Sequence, residues 1–216
     1  MDELATAAVG YLNQQAIRMN FDVPIRMGSV MAGFPRPWCI AGGWALDLHL
    51  NRVTRPHGDI EILIFREDRL ALQAYLTGFD LTRIAAGKEY PWLKAEEVAA
   101  DSHQTRARSA EFEFDVFCGD TDGQDWMYRR DRRVRCARNE AIRTSESGLP
   151  ILAPEIALLF KAKYFADKDR ADFKQVMPHL SADGREWLRC AIEQAHPERT
   201  SSVVNVCGAV SFLDRS

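Results

Sequence analysis

Asp59 and Glu61 stand two positions apart in the run Asp59-Ile60-Glu61-Ile62-Leu63-Ile64-Phe65. Side chains of an extended chain alternate between faces, so the two carboxylates project to one side and the isoleucines to the other. Neighbouring carboxylates raise each other's cost of ionisation, and a divalent cation bound by both removes that cost. Hard oxygen ligands of this kind suit Mg2+ or Mn2+. A second run, Glu111-Phe112-Glu113-Phe114-Asp115-Val116, repeats the alternation with acids on one face. If the two strands are neighbours, Asp115 completes a metal site with Asp59 and Glu61, or serves as the general base that takes a proton from an attacking hydroxyl. Glu113 is the alternative base. The same alternation also suits an ordinary half-exposed strand with acids beside arginines.

Upstream, Gly42-Gly43 follows the short apolar run Trp38-Cys39-Ile40-Ala41 and precedes the helically spaced stretch Trp44 to Leu50. Between a strand and a helix, two residues without β-carbons let a phosphate approach the backbone, and the helix start offers unpaired N–H donors. A Gly-Gly turn serves chain reversal as often, and neither G-x-G-x-x-G nor the P-loop pattern is present. Arg52 and Arg55, in the turn Arg52 to Gly58, read equally as surface charges or as groups that neutralise developing phosphate charge. Lys161 and Lys163 interrupt an otherwise apolar helix, where lysines commonly extend outward to solvent, and Lys161 is the better candidate phosphate contact. The nucleotide-binding set is thus Gly42, Gly43, Arg55 and Lys161, and His57 orients the turn by hydrogen bonding.

These groups need a sheet with helices against it. Asp59–Phe65, Phe79–Ile84 and Glu111–Phe117 read as strands, and Arg66–Leu76 reads as a helix between the first two. Asp2–Met19 has the spacing of an amphipathic helix, and 27–37 reads as turn-prone. From Gly148 the pattern becomes helical, over Glu155–Phe165, Lys168–Met177 and Asp183–Ala195. The expected fold class is α+β, a mixed sheet flanked by helices, with residues 1–147 as catalytic domain, 148–196 as a smaller helical lobe and 197–216 as a tail, either loose or an added strand.

The chain has 216 residues, 46% hydrophobic, and a formal net charge of -3. That allows a substantial core, and the overall field does not attract a polyanion. Nucleic acid would have to use the run Tyr128–Arg138, which holds six arginines and reads more readily as an ion-paired strand edge. Five widely spaced cysteines fit reduced thiols rather than a zinc site. With an acidic opening and no long apolar run, the expectation is a cytoplasmic protein away from membranes. Oligomeric state is left open by the sequence.

The order of diglycine turn, helix, basic turn and Asp-x-Glu strand resembles the nucleotidyltransferase superfamily typified by DNA polymerase β. WCIAGGWALDLHLNRVTRPHGDIEI is similar to the corresponding stretch of the aminoglycoside 2''-nucleotidyltransferases and the small lincosamide nucleotidyltransferases. GLPILAPEIALLFKAKYFADKDRADF resembles the helical region of the lincosamide enzymes, including Asp169 and Asp172, and FEFDVF matches their third-acid strand at Asp115. The likeness covers most of Trp38 to Phe173, thins between Tyr75 and Ser109 and is lost after about His196. It implies that Asp59, Glu61 and Asp115 are metal and catalytic carboxylates and that Gly42 and Gly43 hold a triphosphate. The implied reaction moves AMP from ATP to a hydroxyl of a small antibiotic-like acceptor. This chain departs from the pattern in Glu61, where many relatives have Asp, and in Lys161 and Lys163, which replace non-basic residues. Alternatives are a toxin-type enzyme acting on RNA or protein, and a catalytically inactive nucleotide-binding module. A small-molecule kinase is disfavoured, because the residues after His57-Gly58-Asp59 form an apolar strand and not a polar loop.

Overall fold

A computed structural model describes residues 20–85, 87–93 and 102–207. The helix expected over 2–19 lies outside these residues. Ten strands form a mixed sheet: β1 Trp38–Ile40, β2 Glu61–Phe65, β3 Asp80–Ala85, β4 Lys88–Pro91, β5 Gln104–Arg108, β6 Glu113–Thr121, β7 Asp125–Met127, β8 Arg135–Ala137, β9 Ile142–Thr144 and β10 Pro150–Leu152. The main path runs β4-β3-β5-β6-β2-β1-β10-β9, and β7 continues from β6 to β8. Pairings of β2 with β6 and of β1 with β10 are parallel, and the others are antiparallel. Central β2 is buried from Ile62 onward without alternation, as a strand covered on both faces must be.

The helices are α1 Asp22–Met31, α2 Gly42–His49, α3 Arg69–Tyr75, α4 Pro154–Ala162, α5 Asp167–Val176, α6 Ala182–Ala195 and α7 Thr200–Cys207. α4 is apolar on nearly all sides because it packs against both α2 and α6. One continuous core joins sheet and helices, from Ile62, Phe65 and Phe114 to Leu158, Phe173 and Ile192. β10, which lies beyond residue 147, is the parallel neighbour of β1 and so belongs to the sheet.

Three local readings are corrected. The segment taken as turn-prone from residue 27 is helical as far as Met31. Pro24 falls in the first turn, where its missing N–H costs nothing, and Met27 and Met31, four apart, are both buried. The strand containing Asp115 begins at Glu113 and runs on to Thr121, while Ser109 closes the preceding turn onto Phe112. In the tail, the valine-rich stretch forms α7 instead of a strand, with Val203 fully buried. Residues 208–216 lie outside the description. No helix among the described residues is long and apolar enough to cross a membrane.

Candidate active site

Register brings the acids together. Glu61 of β2 is the parallel partner of Asp115 of β6, and Arg106 of β5 is the antiparallel partner of Asp115. The row Glu61–Asp115–Arg106 therefore crosses three adjacent strands on one face. Asp59 lies just before β2 and is exposed. Burial raises the Glu61 carboxyl above its ordinary value; the charges of Asp59 and then Asp115 add to the rise, while Lys161 and Lys168 oppose it. A negative charge at Glu61 is thus disfavoured by its own surroundings.

Asp115 is only 7% exposed and its oxygens are engaged. Arg106 donates from Nε to Oδ1 at 2.9 Å and from Nη2 to Oδ2 at 3.2 Å, and Gln104 donates to Oδ2 at 3.0 Å. Sequence alternation missed this clamp because it depends on which strand lies beside β6. Glu113, two residues away, is exposed and paired with Arg108 at 2.5 Å. Among the described residues, no three carboxylate, imidazole or thiolate groups lie close enough to share one ion.

Each glycine makes room for a different neighbour. Gly42 has φ +61°, and a β-carbon there would overlap the Glu61 carboxylate. A β-carbon on Gly43 would strike the His57 ring and Arg55 Nη2. The helix start is left open, since its N-cap, Ala41, supplies no capping side chain. Gly42→Ala is expected to cost about 1–3 kcal/mol of stability from strain at a left-handed position, and to displace Glu61 as well. Urea unfolding alongside Gly78→Ala, where φ is +94° and a β-carbon meets open space, separates the two: both variants carry the backbone strain, and only Gly42→Ala loses further stability from the overlap with Glu61.

Behind the glycines lies a chain of buried polar contacts. Thr54 Oγ1 and His57 Nε2 donate to the two oxygens of Asp47 at 2.6 and 2.5 Å. Arg55 Nη1 lies 3.1 Å from His57 Nδ1; arginine only donates, so Nδ1 accepts and Nε2 carries the proton to Asp47. Arg55 also grips Asp172 with Nε and Nη2, both at 3.0 Å. Lys161 Nζ sits 2.7 Å from Asp172 and 3.5 Å from Asp169, and Asp169 Oδ2 accepts the Ala166 N–H at 3.0 Å. Arg55 and Lys161 are therefore held in ion pairs within the protein.

A cavity of about 360 Å³ adjoins this site, with Gly42, Glu61, Lys161 and Lys168 in its wall. Leu63, Phe117, Leu152, Ala157 and Phe160 give it an apolar lining, and His103, Arg129, Arg130, Tyr164 and Asp169 add further polar groups. The arginine-rich run divides here. Arg133 pairs with Asp131, Arg135 with Asp122, and Arg138 with Glu67 while lying over the Phe65 ring, whereas Arg129 and Arg130 face the cavity. Trp44, Trp92 and Trp126 are buried packing residues.

The family profile described as aminoglycoside-2''-adenylyltransferase matches residues 26–176, a span that holds the three acids, both glycines and the cavity. The chain belongs to this family of nucleotidyltransferases. Among solved structures, the lincosamide antibiotic adenylyltransferase LnuA, in its lincomycin-bound crystal structure, superposes with a TM-score of 0.52 at 15% identity, over 74% of this chain and 97% of that one. ANT(2'')-Ia in complex with adenylyl-2''-tobramycin gives 0.44 at 18% identity, covering 84% and 92%. An antigenic nucleotidyltransferase-like protein from Paracoccidioides brasiliensis gives 0.44 at 15% identity, covering 82% and 88%. No curated protein sequence matches the chain. Membership of the family and the LnuA fold agree with the mixed α+β class read from the sequence.

Proposed function

We propose that the protein moves AMP from ATP onto a hydroxyl of a small aminoglycoside- or lincosamide-like molecule, with Mg2+ or Mn2+ held by Asp59 and Glu61 and with Asp115 as the general base. The observation that carries this is Glu61: it sits half-buried in the cavity wall against Gly42, beside two other acids whose charges disfavour its ionisation. A hard cation is the group that such an oxygen donor set fits. The family description supplies adenylyl transfer and an aminoglycoside acceptor as the class of reaction.

The acceptor oxygen attacks the α-phosphorus, the bond from α-phosphorus to the bridging oxygen breaks, and pyrophosphate leaves. A bound divalent ion would supply charge neutralisation to the phosphate oxygens. Asp115, its plane fixed by Arg106 and Gln104, takes the hydroxyl proton through a remaining lone pair. Gly42 and Gly43 offer the open start of α2 to phosphate, and Arg55 and Lys161 set the electrostatics behind it. Positioning and charge do most of this work.

The test is incubation with ATP labelled at the α-phosphate, Mg2+ and separate acceptors: aminoglycosides, lincosamides, bulk RNA and protein. Label on a small molecule, lost on adding chelator, is the expected result. Label on RNA or protein alone would overturn the acceptor assignment, and no label on any acceptor would overturn the activity.

A further inference from the structure

The polyphosphate end of a nucleoside triphosphate carries several negative charges, and the cations nearest the diglycine turn are not free to meet them. Arg55 is spent on Asp172, and Lys161 on Asp172 and Asp169. The cavity holds other cations. Arg129 and Lys168 are exposed in its wall, and among the described residues neither makes a hydrogen bond or ion pair. Arg130 donates from Nη1 to the Tyr128 hydroxyl at 2.9 Å and stacks over the Tyr128 and Phe160 rings. Its Nε is buried with no partner, an arrangement that costs free energy until an acceptor arrives.

We infer that Arg129 and Arg130, with Lys168, form the site that grips the terminal phosphates of the donor nucleotide. This rests on the proposed transferase reading. Two adjacent guanidinium groups repel, and partial desolvation in the cavity wall and then Arg130's charge hold Arg129 below its ordinary value; an anion between them offsets that repulsion. The aromatic surfaces of Tyr128 and Phe160 hold Arg130 in place beforehand, so little side-chain entropy remains to be lost on binding. Of the other arginines of the run, Arg133, Arg135 and Arg138 already have acidic partners, and Arg132 is exposed outside the cavity wall, so Arg129 and Arg130 are the pair that this segment presents to the cavity.

The experiment is calorimetric titration of the full chain with inorganic tripolyphosphate, a non-hydrolysable ATP analogue and AMP, in the absence of acceptor. Arg129→Gln, at an exposed position with no partner to lose, should weaken tripolyphosphate and the ATP analogue by about tenfold or more, the effect of removing one hydrogen bond to a charged group. AMP binding should change by less than about twofold. Arg130→Gln combined with it should weaken both further, provided thermal melting confirms an intact fold. Arg132→Gln, exposed in the same run and outside the cavity wall, serves as the control and should bind like the wild type. The inference is overturned if wild-type protein does not bind tripolyphosphate, if Arg129→Gln binds it unchanged, or if AMP is weakened equally. Because no acceptor is present, a wrong acceptor class leaves this result standing.

Discussion

Asp59→Asn yields a protein that folds as stably as the wild type, or slightly more so, and transfers nucleotide about 10³-fold more slowly. The two halves of this expectation have separate causes. Asp59 is exposed, and among the described residues its carboxylate makes no hydrogen bond or ion pair; only its backbone carbonyl is used, by Trp44 Nε1 at 3.0 Å. Asparagine keeps the shape and removes a charge that raises the cost of ionising Glu61, so repulsion falls. The rate falls because one of the hard oxygen ligands that would draw the cation to the α-phosphate is gone, and a charge-stabilising group at a reacting centre is commonly worth about 10²–10³ in rate. Thermal melting and a labelled-ATP transfer assay on the same preparation read both. Transfer within tenfold of the wild type would remove Asp59 from the machinery.

That asymmetry also explains what could be read in advance. Alternation over residues 59–62 and in β6 is written locally, so the apolar faces of Ile60, Ile62, Phe114 and Val116 and the acids beside them were visible as residue spacing. The glycines were visible too, but for an incomplete reason: the missing β-carbon at Gly42 accommodates Glu61, and that at Gly43 accommodates His57 and Arg55. What the chain does not write locally is pairing across distance. Arg55 and Asp172 are 117 residues apart, and the clamp of Arg106 on Asp115 follows from β5 lying beside β6. The arginine-rich run is uniform as a string, and only the fold separates Arg129 and Arg130, turned to the cavity, from neighbours already neutralised by Asp131, Asp122 and Glu67. Helix α1 was obscured because glycine, serine and valine give a weak local preference, which burial of Met27 and Met31 overrides.

Asp172→Ala is the substitution expected to cost the fold most, by about 3 kcal/mol, and it should lower transfer as well. Asp172 is 4% exposed and answers two cations, Arg55 by a double hydrogen bond and Lys161 at 2.7 Å. Deleting it leaves both charges half-buried, and breaking a buried pair from one side costs about 3–5 kcal/mol; the lower end applies because Lys161 retains Asp169 at 3.5 Å. Burial by itself would raise the Asp172 carboxyl, but the Arg55 hydrogen bond and the Lys161 charge outweigh it and hold the group below its ordinary value of 3.8. A depressed carboxyl stabilises the folded state fully above its unfolded value and loses that contribution as pH falls through the folded one. The gap between wild type and Asp172→Ala in urea unfolding should therefore be constant from neutral pH down to about 4, and shrink below it. Asp167→Ala is the contrasting case: its partner Arg170 is an exposed i,i+3 pair, and the loss should stay under about 0.5 kcal/mol. Equal losses for the two would mean that Asp172 acts as a surface charge. The acids, Arg55 and Lys161 would then have no common frame, because Asp172 is the residue through which α5 holds the turn after α2 and the cavity face of α4 in one arrangement.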